Sequence, residues 1–140
     1  MDKILFVCRA NVGRSQAAME LYRRKGGQAD SAGTLVDAPG ASLVERPTAQ
    51  TIVDIMRNDY AIDMIKNTRT QLTEEVAEGY DKLIVMAQRE TVPEWLWKDP
   101  RMEYWEVTDT LNQDAPTTRA IVRHIESNID TMIRNDSDAQ

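Results

Sequence analysis

Apolar positions follow two rhythms along the chain. Residues 3–7 (with Ile4, Leu5, Phe6 and Val7) and 81–87 (with Leu83, Ile84, Val85 and Met86) are short continuous apolar runs, as strands buried on both faces should be. Residues 29–32, ended by Gly33, and 102–107 predict two further strands. Helical spacing takes over in 14–25, where Ala17, Ala18, Leu21 and Tyr22 share a face and Gly26-Gly27 stops the run. It returns in 48–58, behind Pro47, with Ile52, Val53, Ile55 and Met56. Leu72-Thr73-Glu74-Glu75 predicts a helix start capped by Thr73, and 94–98 a short helix after Pro93. The longest stripe, Ile121, Val122, Ile125, Ile129, Met132 and Ile133, predicts a helix over 116–134. Residues 35–47, with Pro39, Gly40 and Pro47, read as a loop, and 135–140 as a frayed polar tail.

Strand and helix alternate, so the pattern predicts one α/β domain over 1–134, a parallel sheet with helices on both faces and right-handed crossovers. In such a fold ligands bind beyond the carboxyl ends of the strands, near the point where strand order reverses. Residue 8 falls at that end of the first strand.

Composition narrows the partners. The chain of 140 residues has a net charge of −6, which argues against a broad nucleic-acid surface. No apolar run approaches the roughly 18 residues that span a bilayer, so no membrane partner is expected. The opening Met1-Asp2-Lys3-Ile4 lacks the apolar stretch and cleavage site of a signal peptide, and the expected location is cytoplasmic. One cysteine and one histidine exclude an internal disulfide and a structural zinc site, while carboxylate-only metal sites stay open.

The single cysteine changes the picture most. It ends the first strand in Cys8-Arg9-Ala10-Asn11-Val12-Gly13-Arg14-Ser15, and Arg14 opens the first helix. A lone buried cysteine is most often a small core residue. Here a strand precedes it, Gly13 eases a tight backbone, Ser15 follows and a helix begins, which together point to an anion site. Five intervening residues can curl around one tetrahedral anion so that the N–H groups of Arg9, Ala10, Asn11, Val12 and Gly13 converge with the helix N-terminus. Arg14 offers a planar fork for two oxygens. The same field favours the thiolate, the reactive form of Cys8, and Ser15 is placed to donate a hydrogen bond to it. Asn11 tolerates left-handed backbone and can brace the loop. No Gly-Lys-Ser/Thr follows, so this is not a nucleotide triphosphate loop.

These residues resemble the low-molecular-weight protein tyrosine phosphatase family, which includes a class of arsenate reductases. Ser31-Ala32-Gly33-Thr34 is similar to the family segment after the second strand, and residues 80–86 to its hydrophobic strand ending in Met. The resemblance implies a three-layer sandwich with a four-stranded parallel sheet, a phosphocysteine intermediate on Cys8, no metal and no cofactor. It also implies a general acid, usually Asp followed by Pro on a late loop. Asp109 is the candidate, with Thr110 where the proline would stand, and Asp114 is the alternative, although its place before Ala115-Pro116 suits a helix cap.

Other departures matter. Gly13 stands where the family often has a second cysteine. The thiols that relay a disulfide in thioredoxin-coupled arsenate reductases are missing, so arsenate reduction would need an external low-molecular-weight thiol. The expected function is therefore hydrolysis of phosphotyrosine, in a phosphorylated protein, or of small aryl phosphates. The alternatives are thiol-dependent arsenate reduction and non-catalytic binding of phosphate-like oxyanions. Trp95, Trp97 and Tyr104 could line an aromatic rim, as Asp37-Ala38-Pro39-Gly40 could line a substrate rim, but the aromatics fit core packing better; His124 falls inside the last helix.

Overall fold

The computed structural model describes residues 1–138. Four parallel strands, β1 (Lys3–Cys8), β2 (Gln28–Gly33), β3 (Lys82–Val85) and β4 (Met102–Tyr104), form one sheet in the order β2-β1-β3-β4. The helices are α1 (Arg14–Arg24), α2 (Gln50–Tyr60), α3 (Glu94–Trp97) and α4 (Ala115–Asp138).

Every strand residue of β1 after Lys3 is buried, and its side chains alternate between the two faces. Ile4 and Phe6 join Ile84, Met86 and the apolar stripes of α1, α2 and α4 in one core. Leu5 and Val7 join Leu83, Val85, Ala87, Val92 and Leu96 in the other. Burial on both faces explains why these strands are unbroken apolar runs. The first layer is long helices. The second is thinner, made of α3 and the segment around Leu72–Ala77.

Three elements differ from the pattern. The helix expected from Leu72 does not form: Thr73 Oγ1 accepts the Val76 N–H at 3.0 Å, but residues 74–79 make only turns, and Gly79 at φ 85° ends them. Two glutamates and a cap signal a helix start, yet no apolar period follows to sustain it. The strand expected over 102–107 stops at Tyr104, though the Trp105 N–H still reaches Val85 O at 2.9 Å. The last helix runs past Arg134 to Asp138, its final turn tied down by Lys82 Nζ to Asp136 at 3.2 Å.

The chain leaves β1 for β2 on one side and then crosses to β3 on the other. Strand order therefore reverses beside β1. The carboxyl end of β1, Cys8, lies at this switch point.

Candidate active site

The segment from Cys8 to Arg14 is a cradle in which the carbonyls of Cys8, Arg9, Ala10, Asn11 and Gly13 are all occupied. Cys8 O accepts from the Thr34 N–H at 2.8 Å, Arg9 O from Leu35 N–H at 2.8 Å and Gly13 O from Ala17 N–H at 2.9 Å. The Ala10 carbonyl is held by two donors of Arg69, at 3.0 and 3.2 Å, and the Asn11 carbonyl by Gln16 Nε2 at 3.2 Å. Among the described residues, no amide of Arg9, Ala10, Asn11, Val12 or Gly13 donates to a backbone carbonyl. Occupied carbonyls with unspent amides make a backbone nest for an anion.

Asn11 holds this shape. It sits at φ 56°, in the left-handed region that asparagine tolerates, and is fully buried. Its Nδ2 donates to Ser15 Oγ at 2.8 Å and Ser31 Oγ at 3.0 Å, while its Oδ1 accepts the Thr70 N–H at 2.7 Å. Ser15 Oγ lies 3.0 Å from Cys8 Sγ. Because Asn11 already donates to Ser15, the single Ser15 proton is left for the sulfur.

Two glycines set the spacing. A Cβ on Gly33 would lie 2.6 Å from Arg9 O and 2.8 Å from Asn11 N, so only glycine lets the end of β2 support the loop. A Cβ on Gly13 would lie 2.1 Å from Thr110 Oγ1. Gly13 and Thr110, two of the positions at which the chain departs from the pattern it resembles, are thus in contact. Gly13→Ala should lower kcat/KM about tenfold by displacing Thr110 and the adjoining Asp109, and Thr110→Ala in the same chain should recover most of it. Steady-state kinetics of the four combinations check this; additive losses would refute the contact.

Arg14 is almost entirely buried. Its Nη1 donates to Met86 O at 2.5 Å and Val107 O at 3.2 Å, and its Nη2 to Gln88 Oε1 at 3.0 Å. Nη2 also lies 3.4 Å from Asp109 Oδ2, which accepts from Gln88 Nε2 at 2.9 Å. Gln88 therefore bridges the guanidinium and the carboxylate. Burial pushes the Asp109 carboxyl up, but the Arg14 charge, the Leu111 amide, Gln88 and Arg9 outweigh it and hold it below its ordinary value.

Cys8, Arg9, Ala10, Val12, Gly13 and Arg14 line one cavity with Asp109. Asn11 and Ser15 lie behind the wall. Thr110, Leu111, Arg46 and Thr48 complete the mouth. Asp114 is elsewhere: its Oδ1 accepts the Thr117 N–H at 2.9 Å, capping α4, and hydrogen bonding from the Thr117 side chain, then from this N–H, pulls its carboxyl below the ordinary value. Trp95 and Tyr104 pack against the second core, the exposed Trp97 stacks on Tyr104 at 5.6 Å, and none of the three lines the cavity. His124 is exposed on α4. Asp37 does not line the cavity either, but grips Arg46, which does.

Residues 3–137 match the model of the low molecular weight phosphotyrosine protein phosphatase family. The chain belongs to this family. No curated protein matches its sequence. Among solved structures similar to this family member is Vibrio vulnificus Wzb in complex with benzylphosphonate, at 17% identity, TM-score 0.80, covering 96% of this chain and 98% of that one. The YwlE arginine phosphatase of Geobacillus stearothermophilus is 20% identical with TM-score 0.78, covering 100% and 96%. An arsenate reductase in its phosphate-binding state is 22% identical with TM-score 0.77, covering 96% and 98%. At these identities the likeness establishes the fold, and the relatives' differing chemistries do not transfer.

Sequence reasoning missed Gln16, Arg69, Thr70 and Gln88. Gln16 carried one signal, a polar residue on the buried face of α1. The other three act across 59 to 74 residues of chain, and nothing local marks them.

Proposed function

We propose that this family member is a cysteine-dependent phosphatase that hydrolyses phosphotyrosine or small aryl phosphates. The observation that carries the reading is the convergence of Cys8 Sγ, the free amides of the loop, Arg14 and Asp109 on one cavity. Val12 and Leu111 give that cavity apolar walls, which suit an aryl ring better than a phosphorylated guanidinium.

In the first half-reaction Cys8 Sγ attacks phosphorus in line. The S–P bond forms as the P–O bond to the leaving group breaks, while the amides and Arg14 hold the equatorial oxygens. Asp109 gives its proton to the leaving oxygen. In the second half, Asp109 takes a proton from water, the water oxygen attacks phosphorus, and the S–P electron pair returns to sulfur. Residues of the domain alone perform these steps. The reading fits a reducing cytoplasm, where an unpaired catalytic thiol persists.

Asp109 must enter protonated. The resting carboxyl is held low by Arg14 and Gln88, and a bound phosphoryl dianion beside it favours the protonated form. With p-nitrophenyl phosphate, kcat/KM should therefore fall as pH rises from the acid range through neutrality. Asp109→Asn should lower kcat about 100-fold and flatten that limb. Hydrolysis absent at every pH would sink the proposal; arsenate-dependent oxidation of an added thiol would then favour the reductase reading, and phosphate binding alone a non-catalytic one.

A further inference from the structure

The cavity mouth carries more positive charge than one phosphoryl group uses. Arg9, Arg14 and Arg46 line it against a single carboxylate, Asp109, on a chain whose net charge is −6. Arg14 is committed to Met86 O, Val107 O and Gln88. Arg9 and Arg46 are placed differently.

Arg9 directly follows the nucleophile. Its carbonyl is fixed by the Leu35 N–H at 2.8 Å, but its side chain is exposed and makes no hydrogen bond or ion pair among the described residues. Arg46 is braced. Its Nε donates to Thr48 Oγ1 at 3.1 Å, and its Nη1 reaches both oxygens of Asp37 at 2.8 and 2.7 Å. Among the described residues its Nη2 has no partner. Asp37 also accepts from Arg69 Nη2 at 2.5 Å, and Arg69 holds the Ala10 carbonyl of the cradle. The rim guanidinium is thus tied to the catalytic loop through Asp37 and Arg69. Hydrogen bonding to Arg69, then Arg46, brings the Asp37 carboxyl down to about 2, so the brace stays ionised at any working pH.

A cation at a pocket mouth with donors left free, exposed as Arg9 is or half-buried as Arg46 is, recognises an anion. The acidic body repels a long polyanion, so the complementary ligand is short. An aryl ring between Val12 and Leu111 would leave what it is attached to at the mouth. We propose that Arg9 and Arg46 form a subsite for a second anionic group, and that the preferred substrate is a phosphotyrosine flanked by acidic residues. The identity of the first group rests on the phosphatase reading; the rim subsite does not depend on turnover.

Binding separates the two. Three labelled phosphotyrosine peptides, flanked by Glu, Ala or Lys, are titrated against the Cys8→Ser protein by fluorescence anisotropy. At about 0.05 M salt the Glu peptide should bind about tenfold tighter than the Ala peptide, and that ratio should approach one by about 0.5 M. Arg9→Ala and Arg46→Gln should each cut the ratio several-fold, with Arg46→Lys retaining part of it. Equal binding of the Glu and Ala peptides, or a preference that survives Arg9→Ala together with Arg46→Gln, overturns the subsite. The salt series needs no rim substitution, so it decides even if Arg46→Gln fails to fold. Hydrolysis of p-nitrophenyl phosphate by the unsubstituted protein, run alongside, reports on Cys8 chemistry alone. Its loss with an intact peptide preference removes the phosphatase reading and leaves the subsite standing.

Discussion

Cys8→Ser should reduce hydrolysis of p-nitrophenyl phosphate by about four orders of magnitude or more, while phosphate binding changes only a few-fold. The substitution changes one atom. The cradle depends on Asn11, Gln16, Arg69 and the occupied carbonyls, none of which bonds to sulfur. A serine hydroxyl at this place has no base to take its proton: the one histidine, His124, is exposed on α4, and Asp109 is engaged with Arg14 and Gln88. Single-turnover quench should show phosphorylated enzyme forming and decaying far more slowly in the variant than in the unsubstituted protein. Turnover retained without sulfur would remove Cys8 from the reaction, and loss of phosphate binding would mean that the loop had collapsed.

Arg14→Lys should cost about a thousandfold in kcat/KM, with kcat carrying most of the loss. Lysine keeps the charge but not the fork. Arg14 spreads its donors over Met86 O, Val107 O and Gln88 while lining the cavity, and a single ammonium cannot cover these acceptors and the substrate together. The orphaned carbonyls add a stability cost of about 1–3 kcal/mol, which thermal unfolding would register. Gln88 loses its partner as well, and with it the link that orients Asp109. A loss confined to KM would show that Arg14 serves only ground-state binding.

The parts of this molecule that were legible in its sequence are those where a local pattern carries the constraint. β1 and β3 are apolar on both faces because both faces are covered, and an unbroken run of four or five apolar residues has few other uses. The stripes of α1, α2 and α4 are legible for the same reason. The cysteine loop shows itself because an anion nest needs its residues within one turn of chain. The turn at 74–79 was misread because capping chemistry is local but helix persistence is not. The short helix on the second face of the sheet, Glu94–Trp97, was legible from Pro93 at its start and not from any periodicity. The bracing of the site was hidden for a related reason: Arg69, Gln88 and Thr70 look like ordinary polar loop residues until the fold brings them to Ala10, Arg14 and Asn11.

The contact between Gly13 and Thr110 also couples two places that the sequence keeps far apart. A side chain at position 13, cysteine included, places its first carbon against the Thr110 hydroxyl, which must swing aside to make room. The residue at 13 therefore decides where the hydroxyl beside Asp109 can sit, although nearly a hundred residues separate the two.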